Sequence, residues 1–374
     1  MSEGMTMIQR LCCVLLAAVL LCSTAWSWGG TTHKFINKEA VKHVPSSVTF
    51  FANNAQWISD HAVDADNRKN SDPTESPKHF IDIEDYPEFL AGIMPHDINI
   101  LIAKYGSAKV ISIGTVPWAI TWSLDSLTNS LQRGDSVRAL QFAADLGHYV
   151  GDAHQPLHVT SNYDGQSTGN GGFHSRYETT MLATYLAQVI VTQQQVHKIP
   201  VPIDSAFVFL YHGNAMVDSI LKADNYAKSI DATYKTAYYA ALWQKVGAMT
   251  QDQIQTATVD LANLWYTAAI NAGLVSVTSA PSVTELPMRF ELLPNYPNPF
   301  NPSTTVSFTL GSPSQVTVKV YDILGNEVET LLSGNRQAGT YHVQWQAADR
   351  ASGVYLCRMQ AGAFVQTQKL ILMK

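Results

Sequence analysis

The sequence predicts a mainly α-helical domain followed by a small antiparallel β-sandwich. Apolar residues recur at helical spacing from Trp28 to about Leu274, where strand-like alternation is scarce. Beyond residue 291 the period of the apolar residues changes to two. The stretch between these parts is rich in Ser, Thr and Pro, which is typical of a linker. We therefore expect a helical domain over residues 28–275, a linker over 276–290 and a β domain over 291–374.

Residues 1–27 have the three parts of a secretory signal peptide. Arg10 precedes an apolar run from Leu11 to Leu21, and Ala25-Trp26-Ser27 has the small–x–small pattern of a cleavage site. The run is too short for a permanent transmembrane helix. Three of the four cysteines lie in this segment, so cleavage after Ser27 leaves only Cys357 and no intrachain disulfide. The segment predicts a protein that is secreted or displayed at the cell surface.

Composition limits the possible classes of protein. Aromatic residues make up 10% of the 374 residues, charged residues only 14%, and the net charge is −6. These values exclude collagen, a coiled-coil rod and wholesale disorder. The sequence has no basic run or stripe, which argues against a nucleic-acid scaffold protein.

The β domain is defined by alternating strands and by a second, more specific pattern. Residues Val316 to Val320 and Tyr341 to Trp345 alternate between apolar and polar side chains, with turn signals between such runs. Four segments also resemble the bacterial type IX secretion C-terminal sorting domain: Asn295–Thr305, Val320–Gly325, Ser352–Tyr355 and Lys369–Lys374. The resemblance implies passage through the outer membrane, with the type IX secretion machinery as partner. No other stable protein partner is evident.

Two histidine–carboxylate pairs in the helical domain have the spacing of metal ligands. His148 and Asp152 are four residues apart near the end of a predicted helix, so both side chains leave one helical face. Pro156 ends this helix and allows His158 to approach from a turn.

The second pair is His174 and Glu178, again four residues apart. A mixed set of imidazoles and carboxylates favours zinc, because calcium and magnesium prefer shells made of oxygen.

The order of these motifs resembles the zinc-dependent phospholipases C and the zinc single-strand nucleases. Both begin the mature chain with tryptophan, here Trp28, and both carry a His-x-x-x-Asp-x5-His block, here His148 to His158. A later His-x-x-x-Glu/Asp pair follows in both, and the resemblance extends to about Glu178. It implies a phospholipase C/nuclease-like helical catalytic domain that binds three zinc ions per chain.

The resemblance also implies the ligands of each ion. Asp64 is preferred to Asp66 because its separation of 15 residues from His79 fits the family better, although Asp66 stays open. Asp64 would also orient or deprotonate the attacking water, whereas His154 is not expected to be a ligand. The first zinc would take Asp64, His79, His148 and Asp152; the second His158, His174 and Glu178; the third the amine and carbonyl of Trp28 with His33 and Asp152.

The function implied is that of a secreted zinc-dependent phosphoric diester hydrolase, in which a metal-bound hydroxide attacks phosphorus. Glu178, where the nucleases usually carry Asp, favours a phospholipase C-like enzyme, which we expect. The spacing from Trp28 to His33 favours instead a single-strand-specific nuclease or 3′-nucleotidase. A zinc-stabilised surface binding protein is the alternative from another class. Zinc content together with turnover of a generic phosphodiester would separate the binding protein from the enzymes.

Overall fold

The computed structural model describes residues 28–275 and 290–372, apart from residues 294, 296, 297, 299, 301, 338 and 363. The expected signal peptide and residues 276–289 of the expected linker lie outside the described residues. Helices occupy the first described range and strands the second, so the predicted fold class is confirmed.

The helical domain is built around a few long helices. The helix that carries His148 and Asp152 has clear limits at both ends. The side chain of Asp135 caps its start, and Pro156 lies just beyond its end, where it prevents the helix from continuing. The α-helices are α1 (Gly30–Ala40), α2 (Thr49–Asn53), α3 (Ala55–Asp60), α4 (Asp64–Arg68), α5 (Pro87–Leu90), α6 (Ile98–Tyr105), α7 (Ser107–Ile113), α8 (Val116–Gln132), α9 (Ser136–His154), α10 (Phe173–Ser175), α11 (Leu182–Tyr185), α12 (Pro202–Ile230) and α13 (Thr236–Asn271). Short 3-10 helices span Ser76–His79, Ile83–Asp85, Pro156–His158 and Leu186–Gln188, and a π-helical segment spans Arg176–Met181.

Helix α9 runs through the middle of this domain, against α8, α12, α13 and α1. Its second half is buried from Leu146 to His154, including the polar residues there. Trp265 of α13 is also fully buried, donates its indole N–H to the carbonyl of Ala143, and stacks on Phe51. The core thus holds the end of α9 away from solvent.

Two glycines let α1 approach α9 closely. A Cβ on Gly147 would lie 2.1 Å from Asn37 Oδ1, and a Cβ on Gly151 would lie 2.8 Å from His33 Nδ1. Asn37 and His33 are four residues apart on α1, as the glycines are on α9, so the two helix faces fit together. This packing brings His33 to the end of α9.

The described residues of the β domain form seven strands in two antiparallel sheets. The sheet orders are β1-β2-β5 and β4-β3-β6-β7, and Val306 pairs with Val343 in the first while Val318 pairs with Met359 in the second. Trp345 of the first sheet meets Tyr355 of the second edge to face, within one shared apolar core. The strands are β1 (Glu291–Leu292), β2 (Ser303–Leu310), β3 (Ser314–Tyr321), β4 (Glu327–Arg336), β5 (Gly339–Gln346), β6 (Gly353–Ala361) and β7 (Phe364–Leu372).

Among the described residues, the helices are all too short or too polar to cross a bilayer. Cys357 lies in β6 and is buried in the β core, as expected for a small apolar side chain.

Candidate metal centre

His148 and Asp152 form the middle of a buried cluster at the end of α9. Both are fully buried, and His148 Nε2 lies 3.3 Å from Asp152 Oδ2. The other ring nitrogen, Nδ1, donates to the carbonyl of Ala62 at 2.7 Å. That hydrogen bond fixes the orientation of the ring, so Nε2 faces the cluster.

A first ligand group forms where α4 and the 3-10 helix Ser76–His79 meet α9. His79 Nδ1 lies 3.0 Å from both Asp152 Oδ2 and His148 Nε2. Asp66 Oδ1 lies 3.6 Å from the same two histidine nitrogens. The ligand atoms of Asp66, His79 and His148 thus lie within 4.8 Å of one another, as ligands of a single cation do, and Asp152 contacts both histidines.

A second ligand group continues the cluster beyond Pro156. His158 Nδ1 lies 2.8 Å from the carbonyl oxygen of His79 and 3.2 Å from Asp152 Oδ1. On its other side, His158 Nε2 lies 3.3 Å from Glu178 Oε2, and His174 Nε2 lies 3.0 Å from the same oxygen. The predicted i, i+4 pair does meet, and Asp152 connects this group to the first.

A third group lies where α1 packs on α9. His33 Nε2 is 3.5 Å from Asp152 Oδ1, and the His33 ring stacks on His148 at 3.9 Å. Trp28 is fully buried beside it, with its indole N–H donated to the carbonyl of Gly151 at 2.6 Å. In this chain the nitrogen of Trp28 is a peptide nitrogen, because 27 residues precede it.

Asp64 does not join the cluster, so the choice of Asp64 over Asp66 was wrong. Its side chain is 44% exposed and lies 2.7 Å from His61 Nδ1, while the side chain of Asp66 is only 6% exposed and faces His79. The reason is geometric: residues two apart on a helix point in nearly opposite directions, so only one can face inward.

The sequence reasoning missed two side chains that contact the predicted ligands. Glu75 Oε1 lies 3.6 Å from His79 Nε2, on the side away from the cluster, and is itself held by Tyr149 and Arg68. Gln155 donates to Glu178 Oε2 at 2.9 Å. Glu75 and His79 are four residues apart, so the spacing rule applied to the other pairs would have found Glu75.

His154 points away from the cluster, in agreement with the expectation that it is not a ligand. Its Nδ1 donates to the carbonyl of Val150 at 2.8 Å, its Nε2 lies 3.1 Å from Asp260 Oδ2, and its ring stacks on Phe209.

The cluster carries negative charge despite its burial. Burial raises the pKa of Asp152, but His148 and His158 outweigh it and hold that pKa well below its usual value. Burial and the neighbouring His148 lower the pKa of His33 to about 4, so this imidazole is neutral at pH 7. Burial also opposes protonation of His148, yet the facing carboxylates raise its pKa to about 10. In the metal-free protein, protons thus occupy places that a cation would take.

The donor set fits zinc. It combines five imidazoles with three carboxylates, and the buried carboxylates need a compensating positive charge, which zinc would supply. His148 and His174 both donate Nδ1–H to a backbone carbonyl, which leaves Nε2 as the ligand atom.

Two families match this chain. Residues 28–279 match the S1/P1 nuclease family, and residues 295–373 match the secretion system C-terminal sorting domain. Nuclease S1 from Aspergillus oryzae is 28% identical over 192 residues, which cover 46% of this chain and 61% of that protein. A probable serine protease from Bradyrhizobium tropiciagri is 24% identical over 257 residues, 54% of this chain and 32% of that protein. The chain thus spans less than two thirds of the length of either relative.

Among solved structures, alpha-toxins from Clostridium absonum and from an avian strain of Clostridium perfringens align with this chain. Each is 12% identical, with TM-scores of 0.40 and 0.39. The alignments cover 92% and 91% of this chain and 95% of each toxin chain.

Proposed function

The chain belongs to the S1/P1 nuclease family, and we propose that it is a zinc-dependent phosphodiesterase that cleaves single-stranded nucleic acid with three zinc ions. Its C-terminal domain is a secretion system C-terminal sorting domain, and the protein is secreted or displayed at the cell surface. The type IX secretion machinery is the partner that this domain implies.

One observation carries the proposal: imidazoles from separate segments turn their nitrogens toward shared carboxylates. Asp152 alone lies within 3.5 Å of four histidine side chains, which come from α1, the 3-10 helix Ser76–His79, α9 and the turn after it. Packing alone does not explain why so many polar side chains are buried together, because each buried polar group costs free energy unless it is paired. Their convergence therefore supports a site that binds cations.

The residues of the chain divide the work between them. The first zinc would be held by Asp66, His79, His148 and Asp152. The second would be held by His158, His174 and Glu178, and the third by His33 and Asp152. When bound, zinc supplies Lewis acidity toward phosphate oxygens and makes water a nucleophile near neutral pH. Asp66 takes the role first given to Asp64, which is to orient the attacking water. Trp28 would complete the third ligand group with its free amine once the residues before it are removed.

The preferred substrate is single-stranded nucleic acid, because the family match extends over the whole helical domain. A phospholipid is the second candidate, favoured by Glu178 at a position where nucleases usually carry Asp. Both substrates contain a phosphodiester that the same ligand groups would bind. The two candidate functions therefore differ only in the chemical groups that surround the phosphate.

Assaying the purified protein on single-stranded DNA, duplex DNA and phosphatidylcholine vesicles tests this proposal directly. We expect zinc in the protein, cleavage of single-stranded DNA, loss of cleavage on chelation and recovery with added zinc. Cleavage of phosphatidylcholine alone would assign the second candidate, and a zinc-loaded protein inert on all three would indicate a binding protein.

A matched pair of variants ties the activity to the cluster. Asp152→Asn should abolish turnover and release more than one zinc per chain, because Asp152 connects all three ligand groups. His154→Ala, two residues away, should keep its zinc and most of its rate. An Asp152→Asn protein that stays fully active with all its zinc would refute the proposal.

A further inference from the structure

A buried carboxylate lies behind the second ligand group. Asp224 of α12 is fully buried and accepts hydrogen bonds from Asn170 Nδ2 at 2.6 Å, from Arg176 Nη2 at 3.2 Å and from the hydroxyl of Tyr238. Lys228 Nζ lies 2.9 Å from its second oxygen. Two donors on each oxygen satisfy this carboxylate, and such a network is rigid because its members restrain one another.

Arg176 joins this network to the metal ligands. In the chain it stands between His174 and Glu178, two residues from each. Residues two apart on a helical segment point in nearly opposite directions, so Arg176 faces the network while the two ligands face the cluster. Its guanidinium also donates to the carbonyl of Gly171 at 2.9 Å and lies 4.3 Å from the ring centre of Tyr234.

The same network holds the end of the loop that joins the ligands His158 and His174. Asn170, near the end of that loop, also donates to the carbonyl of Leu221 at 3.2 Å. Lys228 donates to the carbonyl of Gly169 at 3.1 Å. The loop end and the segment after it are therefore anchored to one helix, α12.

We propose that Asp224 and Arg176 are positioning residues that fix the rotation of the segment 173–181 and thereby set the zinc affinity of the second ligand group. The inference rests on the proposed function, because it requires that His158, His174 and Glu178 bind zinc. Groups that orient metal ligands without touching the metal typically contribute about 10- to 100-fold to affinity. When the network is broken, we expect the zinc affinity of one class of zinc-binding site to fall by that factor.

The test is a competitive zinc titration of the full-length protein against a chromogenic chelator, repeated with cobalt to follow the absorption of each site. His174→Ala removes a ligand of the second group, so the class of zinc-binding site that this variant loses in the titration is the one formed by that group. Asp224→Asn should weaken that same class about 10- to 100-fold, change its cobalt spectrum and leave the other classes unchanged. Turnover should recover when zinc is added in excess.

Tyr238→Phe gives a milder break, since it keeps the ring beside Arg176 and the carboxylate of Asp224. It removes only the hydroxyl that donates to Asp224 and accepts from Arg176 Nε at 3.1 Å. If Asp224→Asn does not fold, the proposal is judged on Tyr238→Phe, which should weaken the same class to a smaller extent. Asp260→Asn is the matched control, because it removes the carboxylate beside buried His154, on the side of α9 away from the cluster. Its zinc affinities should equal those of the unmodified protein.

Two results would overturn the inference. Unchanged zinc affinity in both network variants would mean that the network does not position the ligands. Equal weakening of every class would mean that Asp224 only stabilises the fold. An unmodified protein that binds no zinc would instead refute the proposed function, and this inference with it.

Discussion

Asp64 and Asp66 offer a direct comparison, because they are the same residue type two positions apart on one short helix. We expect Asp66→Asn to remove a ligand from the first group, where its Oδ1 lies 3.6 Å from His79 Nδ1 and from His148 Nε2. Residues that only orient a ligand contribute about 10- to 100-fold to metal affinity. A ligand itself should contribute at least the upper value, and a factor of about 100 corresponds to about 2.8 kcal/mol of binding free energy.

Asp64→Asn is the built-in control. It removes an exposed contact with His61, and exposed pairs of this kind contribute at most about 1 kcal/mol to stability. Zinc affinity and turnover should therefore stay unchanged. Competitive zinc titration measures the first effect, and denaturant unfolding of the metal-free proteins checks that both variants fold. If Asp64→Asn lost zinc while Asp66→Asn kept it, the side chains would face the other way and the ligand assignment from the structure would be wrong.

Three other changes test separate features. Gly151→Ala places a methyl group 2.8 Å from His33 Nδ1, so we expect unfolding free energy to fall by about 1–3 kcal/mol and the third ligand group to weaken. The control is Gly171→Ala, whose Cβ meets nothing within 4 Å, and equal zinc content and stability in the two variants would contradict the close packing of α1. One alanine added before a free Trp28 should cost one zinc and slow turnover, because an amide nitrogen is a poor ligand whereas an α-amine with a pKa of about 8 can bind. Unchanged metal content would remove Trp28 from the ligands. Burial raises the pKa of Cys357 to about 12, so alkylation at neutral pH should require unfolding of the β domain; rapid labelling of the native protein would show that β6 is not packed as described.

Much of the architecture and of the site follows from local periodicity. Helical spacing and strand alternation predict the two parts of the chain, since each period reports which side chains share a face. The pair His148 and Asp152 was predicted because a helix places residues four apart side by side, and the same holds for His174 and Glu178 even though a π-helical segment follows His174.

The remaining site residues depend on contacts that local spacing does not encode. Helix α4 has only five residues, too few for its own pattern to decide which aspartate faces inward. The packing of α4 against α9 turns Asp66 inward. The separation from His79 along the chain had favoured Asp64 instead. Asp224 is 48 residues from Arg176, and only the packing of α12 against the loop before Phe173 brings the two together.

Metal binding and stability would be linked in this protein, because the proposed ligands come from segments far apart in the chain. His33, His79 and His158 lie on three separate elements, and each contacts Asp152 of α9. Cations bound in the three ligand groups would hold those elements together. Each would stabilise the folded state by a free energy that grows with the logarithm of the ratio of its concentration to its dissociation constant. After residue 27 the chain has a single cysteine and thus no intrachain disulfide. In an exported protein, where disulfides are the common reinforcement, the zinc ions would fill that role for the helical domain, while the separate apolar core of the β domain would not depend on them.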